Sequence, residues 1–148
     1  MFLVRLVYAS TISKGNTESD ISQILDTAKQ HNASVDVTGA LLFNRNYFLQ
    51  CLEGSRLRVN EIYHRILNDR RHQNILLLDY REVSEREFGD WSMGYIPEVA
   101  MTTPINMKYS VSKQFDPYSM SGESAYKLLL HLSQVVKNGI KKAGSRLL

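Results

Sequence analysis

One cysteine, Cys51, is all the sulfhydryl chemistry this 148-residue sequence has. A single thiol excludes an intramolecular disulfide and any metal site built from several cysteines, and it fits a reducing cytosol. On a strand, Cys51 reads as a small packed residue. No apolar run approaches the ~18 residues that a membrane-spanning helix needs. The start, MFLVRLVYAS, lacks a charged region followed by an apolar stretch and a cleavage site, so a secretory signal is not expected. There is no G-x-G-x-x-G, no Walker loop, no H-E-x-x-H and no G-x-S-x-G elbow. The four histidines (His31, His64, His72, His131) have no carboxylate-rich ligand spacing, which leaves each as a surface or hydrogen-bonded residue and leaves no metal expected. Internal repeats and low-complexity segments are absent.

What is present is globular in composition, 43% hydrophobic and 22% charged, at the length of one ordinary domain. The net charge of +3 is uneven: residues 1–97 carry 11 basic and 12 acidic groups, whereas residues 98–148 carry 7 and 3. The excess sits chiefly at Lys137, Lys141, Lys142 and Arg146. A terminal basic run of this kind reads as a solvated end, so no nucleic-acid partner is expected.

Hydrophobic periodicity predicts strands over 2–10, 35–43, 47–53, 74–83 and 91–96. Helices are expected between the first two strands, with Ile21, Ile24, Leu25 and Ala28 as the apolar stripe, and after Gly54-Ser55, with Leu57, Val59, Ile62, Tyr63 and Ile66. Thr17 or Ser19 can cap the first helix and Ser55 the second. The order βαββαββ fits an α+β, ferredoxin-like sheet with two helices on one face and strands one and three as neighbours. Residues 101–109 and 122–140 predict further helices. The second carries Leu128, Leu129, Leu132, Val135, Val136 and Ile140, with Ser121 as its cap.

Strand alternation then sorts the side chains. Val4, Leu6 and Tyr8 share a face of strand one, and Phe48, Gln50 and Leu52 share a face of strand three. Phe48 and Leu52 are natural core, so Gln50 is carried inward with them, into the layer that holds the Tyr8 hydroxyl. An unpaired buried amide costs about 1–3 kcal/mol, so these groups need each other or a ligand. The opposite face, Leu3, Val7, Leu49 and Cys51, is also apolar and requires a cover, which the C-terminal helix can supply.

Asn32, one helical turn beyond the first apolar stripe, and Arg65 on the second helix complete a polar set with Tyr8 and Gln50. Two amides and a phenol over an apolar floor suit a flat heterocycle with imide edges, and a cation at the rim suits phosphates. Singly, each has a plain structural explanation. Two other users of the ferredoxin plan fit these residues less well. RNA-recognition domains need exposed aromatics on strands one and three, but Tyr8 and Phe48 face the helices. Acylphosphatases need an arginine in the loop after strand one, and Ala9-Ser10-Thr11-Ile12-Ser13 has none.

LVYAS with Tyr8, HNASVDVTGALLF with Asn32, FLQCLEG with Gln50, YHRILNDRRH with Arg65, and FGDWSMGY with Trp91 and Met93 occur in order over residues 1–97. In these motifs the chain resembles the BLUF family, blue-light sensors using flavin. The resemblance implies a photosensory domain over 1–97 and a helical extension over 98–148. The implied cofactor is FAD, with FMN or riboflavin as substitutes. Asn32 and Gln50 would hydrogen-bond the ring and Arg65 approach the phosphates. His31 and Asp69 are further contacts, and Ile24, Phe48, Leu52 and Ile66 the apolar walls. Tyr8 would supply an electron and a proton, Gln50 would relay the proton and be left rotated or tautomeric, and a small reversible red shift would result. Trp91 and Met93, on one face of strand five, would pass the change to the C-terminal helices. The resemblance implies a non-enzymatic cytoplasmic receptor, forming a homo-oligomer and signalling to a protein partner, with no membrane contact.

Overall fold

A computed structural model describes residues 2–91 and 93–147, the side chains of 140–147 excepted. β1 (Leu3–Ile12) lies between β3 (Tyr47–Ser55) and β4 (His72–Glu82), antiparallel to both. β2 (Thr38–Phe43) forms a hairpin with β3, and β5 (Gly94–Ile96) adds parallel to β2. The sheet order β4-β1-β3-β2-β5 is the expected ferredoxin-like plan with one strand added at the β2 edge, which makes the sheet mixed.

α1 (Glu18–Ser34) opens with a capping box, in which the Thr17 side chain accepts from Asp20 N–H and the Asp20 carboxylate accepts from Thr17 N–H. α2 (Arg56–Leu67) is capped by Ser55. Together they cover one face of the sheet, where Val4, Leu6, Tyr8, Phe48 and Leu52 meet Ile24, Val59 and Ile62. On the other face Val7, Ala9, Leu49 and Cys51 are covered by Ala125, Leu128, Leu129 and Leu132 of α4 (Gly122–Leu147). Full burial of each large aliphatic side chain contributes roughly 1.5–3 kcal/mol, so neither face is stable bare. Ser121 Oγ accepts from Ser124 N–H at 3.0 Å as α4 begins. A Cβ at Gly122 would run into the Leu78 carbonyl, so glycine lets the start of α4 press directly on β4. A short α3 (Thr103–Tyr109) and two 3-10 turns, Glu98–Ala100 and Pro117–Ser119, connect β5 to α4.

The element boundaries differ from expectation, most informatively in β1, β2 and β5. β1 continues to Ile12 through a register shift against β4 between Ala9 and Thr11. β2 starts only at Thr38, because Val37 N–H is taken by the Asn32 carbonyl at the exit of α1. β5 is three residues long, not six, and Ser92 of the expected strand is outside the described residues. On α4 Val135 is 38% exposed and leaves the stripe, which continues through Val136. The side chains of Ile140, Lys141, Lys142 and Arg146 are outside the described residues.

Arg5 and Glu53 are directly opposite each other on β1 and β3, facing α4. Their ion pair, 3.0 Å long, is almost wholly buried. The Glu53 carboxylate also accepts from the backbone N–H groups of Glu87 and Phe88, at 2.9 and 2.8 Å, which ties the β4–β5 connection to the sheet. The Arg5 guanidinium lies 3.9 Å from the Tyr126 ring centroid, a cation–π contact to α4.

Candidate functional site

Tyr8, Gln50 and Leu41 form one cross-strand row on the α1/α2 face, because β1, β3 and β2 pair in that register. The Tyr8 hydroxyl donates to Gln50 Oε1. The Gln50 amide in turn donates from Nε2 to Met93 Sδ at 3.3 Å. A thioether only accepts, so Met93 fixes which end of the amide faces it. Burial, with smaller contributions from Tyr63 and Asp69, pushes the Tyr8 phenol far up, so it stays protonated throughout the physiological range.

A cavity of about 120 Å³ opens above this row, between α1 and α2. α1 supplies Ile24, Thr27, Ala28, His31 and Asn32, while α2 supplies Ile62, Arg65 and Ile66. The chain entering β4 supplies Asp69, Arg71 and His72. Asn32 is buried in the last turn of α1, and its Nδ2 has no hydrogen-bond partner among the described residues. Arg65 Nη1 lies 2.9 Å from His31 Nε2 at the exposed rim. Asp69 is held in a bidentate pair with Arg71, whose hydrogen bonds keep the carboxyl below its ordinary range.

An orphaned amide donor, a phenol–amide pair, an apolar wall and two arginines suit a planar heterocycle carrying anionic groups. Residues 3–94 match the family described as BLUF, sensors of blue-light using FAD. The chain belongs to the BLUF family. It is 41% identical over 93 residues to the blue light- and temperature-regulated antirepressor BluF of Escherichia coli (strain K12). That stretch is 62% of this chain and 23% of the relative, so the chain spans less than a quarter of that protein. Among solved structures it resembles the BlsA photo-activated state, with TM-score 0.81, 29% identity, and 88% of this chain and 94% of the other covered. It also resembles BlrB, a BLUF protein in the dark state, with TM-score 0.73, 30% identity and the same coverages. The BLUF domain of this chain is therefore a blue-light sensor whose cofactor is FAD.

Tyr8, Ile24, His31, Asn32, Gln50, Arg65, Ile66 and Asp69, each singled out in the sequence, line this one cavity together. Phe48 and Leu52, expected as walls, are buried in the core of the same layer and are not among the residues lining this cavity; the Phe48 ring packs 4.7 Å from that of His72, which does line it. Met93 faces Gln50, but Trp91 does not share its face. The indole packs against the α4 layer, with Lys137 Nζ 4.9 Å from its ring. The expectation failed because residues 91 and 93 precede β5, where strand alternation does not hold. Trp91 N–H donates to the Phe88 carbonyl in a turn, and a Cβ at Gly94 would overlap the indole.

Sequence reasoning missed Arg71, His72, Leu41, Thr27, Ala28 and Ile62 as cavity residues. Leu41 was recoverable from its pairing with Gln50, and Ala28 and Ile62 from the helical stripes. His72 precedes the strand expected over 74–83 and is in fact the first residue of β4. It is buried and bonded through Nδ1 to Ser10 Oγ at 2.8 Å. Burial, chiefly, lowers its pKa from 6.5 to about 4. Between those values the unfolded chain holds a proton that the folded chain refuses, so stability falls as pH drops through that window. Acidification from pH 7 to 4 should cost up to about 3 kcal/mol through this group. His72→Gln should remove that part of the pH dependence in urea melts run at each pH; an unchanged slope would refute the assignment.

Proposed function

We propose that this chain is a reversible blue-light switch in which Tyr8 and Gln50 are the photoactive pair and the segment beyond β5 carries the output. The observation that carries the reading is the continuous hydrogen-bond chain from Tyr8 through Gln50 to Met93. Asn32, Gln50, Arg65, His31, Asp69 and Arg71 would hold FAD, with Ile24 and Ile66 as walls; FMN or riboflavin would meet the same ring-facing groups. Bound FAD supplies a strong photo-oxidant under blue light.

Tyr8 is the oxidisable side chain of the site. Burial keeps its phenol protonated; loss of an electron makes that phenol a strong acid, and the hydroxyl proton follows. Gln50 Oε1 is already hydrogen-bonded to that proton and receives it. Return of electron and proton leaves the amide in a second arrangement, rotated or tautomeric. A half-turn of the amide sets Oε1 against Met93 Sδ, two acceptors facing each other, so the bond that holds Met93 is lost. Met93 adjoins β5, and Ile96 at the other end of β5 is packed in the α4 layer. A two-state amide thus biases the packing between the two layers.

In this reading residues 1–97 sense light and residues 98–148 signal, without an enzymatic step of their own, to a partner protein, from a cytoplasmic homo-oligomer. Packing of α4 on the sheet face reached from β5 supports the signalling role of the C-terminal segment, and the single buried thiol fits a reducing compartment. Among the described residues no helix is long and apolar enough to cross a membrane. The test is spectroscopic. Purified protein should be yellow, blue light should shift its flavin band to the red, and darkness should restore it. Hydrogen exchange should quicken in β5 and the Glu98–Ala100 turn under illumination. A flavin-bearing protein with a fixed spectrum would defeat the proposal.

A further inference from the structure

Lys137 joins α4 to the β4–β5 connection at two consecutive residues. Its Nζ lies 3.4 Å from Asp90 Oδ2 and 4.9 Å from the centre of the Trp91 ring. Lys127, by contrast, pairs within its own helix, with Glu123. We propose that Lys137 is a positioning residue of the light response, which clamps the Trp91 indole onto Gly94 and is the point at which α4 senses a change in β5. The light-driven half rests on the switch reading above; the clamp itself does not.

The main chain of Trp91 is anchored. Its N–H donates to the Phe88 carbonyl and its carbonyl accepts from Gly39 N–H, each at 3.0 Å. The clamp therefore acts on the side chain. A Cβ at Gly94 would overlap the six-membered ring of the indole, so the ring lies directly on the β5 backbone in a seat that only glycine leaves open. Apolar groups of the α4 layer pack against the indole, and Lys137 closes over it. An ammonium is drawn to the negative face of an aromatic ring, and the lysine stem covers apolar surface while its head stays in water. The exposed Asp90 carboxylate, on the preceding residue, holds the ammonium where the ring needs it. Each contact alone is weak, so the clamp can be made and broken without threatening the fold.

Gly94 opens β5 and pairs with Ala40. One residue earlier, Met93 takes the Gln50 hydrogen bond in the α1/α2 layer. Met93 and the indole thus grip one stretch of chain from the two sides of the sheet. When Gln50 turns and releases Met93, Gly94 shifts beneath the indole, and Lys137 carries the shift into α4. An Asp90–Lys137 pair alone would transmit nothing from β5; the indole seated on glycine makes the link.

Trp91 is the one tryptophan of the chain, so its fluorescence and its indole N–H resonance report on this contact alone. Flavin-loaded parent, Lys137→Ala and Lys137→Arg are compared in darkness and under blue light. In darkness Lys137→Ala should raise acrylamide quenching several-fold and move the indole N–H signal. Lys137→Arg should restore both, because a guanidinium also stacks on an aromatic face and pairs with a carboxylate. Under light the parent should exchange hydrogen faster around Val136. Lys137→Ala should keep the flavin red shift and the faster exchange in β5, and lose the change in α4. Lys137 is half-buried at the surface and outside the flavin cavity, so both variants should fold and hold flavin. Unaltered dark quenching in Lys137→Ala, failure of Lys137→Arg to restore it, or an α4 response that survives in Lys137→Ala would overturn the proposal. So would a parent that shifts its flavin band while α4 stays unchanged. A parent with no red shift would instead defeat the switch reading, and the dark comparison would then decide the clamp by itself.

Discussion

Tyr8→Phe should retain flavin and lose the light-induced red shift. The substitution removes one atom, Tyr8 Oη, and keeps the ring that packs 5.7 Å from Tyr63 and 6.3 Å from His72. The cavity wall is unchanged, and so is the orphaned donor of Asn32. What disappears is the proton that Gln50 Oε1 would receive and the redox-active phenol itself. Gln50 Oε1 is left without its donor, at a cost of about 1–3 kcal/mol in a buried site, so the variant should fold with a modest loss of stability. Absorption spectra taken before and after illumination decide the matter. A normal shift and recovery in Tyr8→Phe would mean that the electron and proton come from elsewhere, and that the hydrogen bond to Gln50 is structural only.

The second large effect concerns stability. Glu53→Ala should destabilise the fold by about 3–5 kcal/mol, because it strands the Arg5 guanidinium in a buried place. It also frees the Glu87 and Phe88 N–H groups that the carboxylate accepts. A loss of that size is a large share of the 5–15 kcal/mol that ordinarily separates folded from unfolded. Urea melts of the flavin-loaded protein measure it. The double variant Arg5→Met with Glu53→Leu should recover much of the loss, since paired apolar replacements remove both desolvation costs together. If Glu53→Ala melts like the parent, the carboxylate is not the anchor of the β4–β5 connection.

The sequence made the core of the site legible because strands have an exact period of two residues. Phe48 and Leu52 had to be inside, Gln50 followed by parity, and Tyr8 met it across β1 and β3. The same parity demanded a cover for Val7, Leu49 and Cys51, and α4 provides it. Periodicity has nothing to say where the chain is irregular. Trp91 and Met93 are two apart and would share a face in a strand, yet a turn places them on opposite sides of the sheet. Arg71 and His72 follow a helix exit, and the position of His72 depends on a β1–β4 register that shifts near Ser10, which no local pattern encodes. Val135 misjudged the stripe for a simpler reason. α4 needs apolar groups only where the sheet lies beneath it, and at Val135 its surface faces water.

The way α4 lies across the sheet bears on how this sensor would be joined to anything else. Cutting after Pro97 would strip Val7, Ala9, Leu49 and Cys51 of their cover and leave Arg5 without the Tyr126 ring, so a fragment ending there should clump rather than report light. A graft onto an effector belongs at the distal end of α4, where the helix axis can hand motion onward while the oily underside of the sheet stays dry.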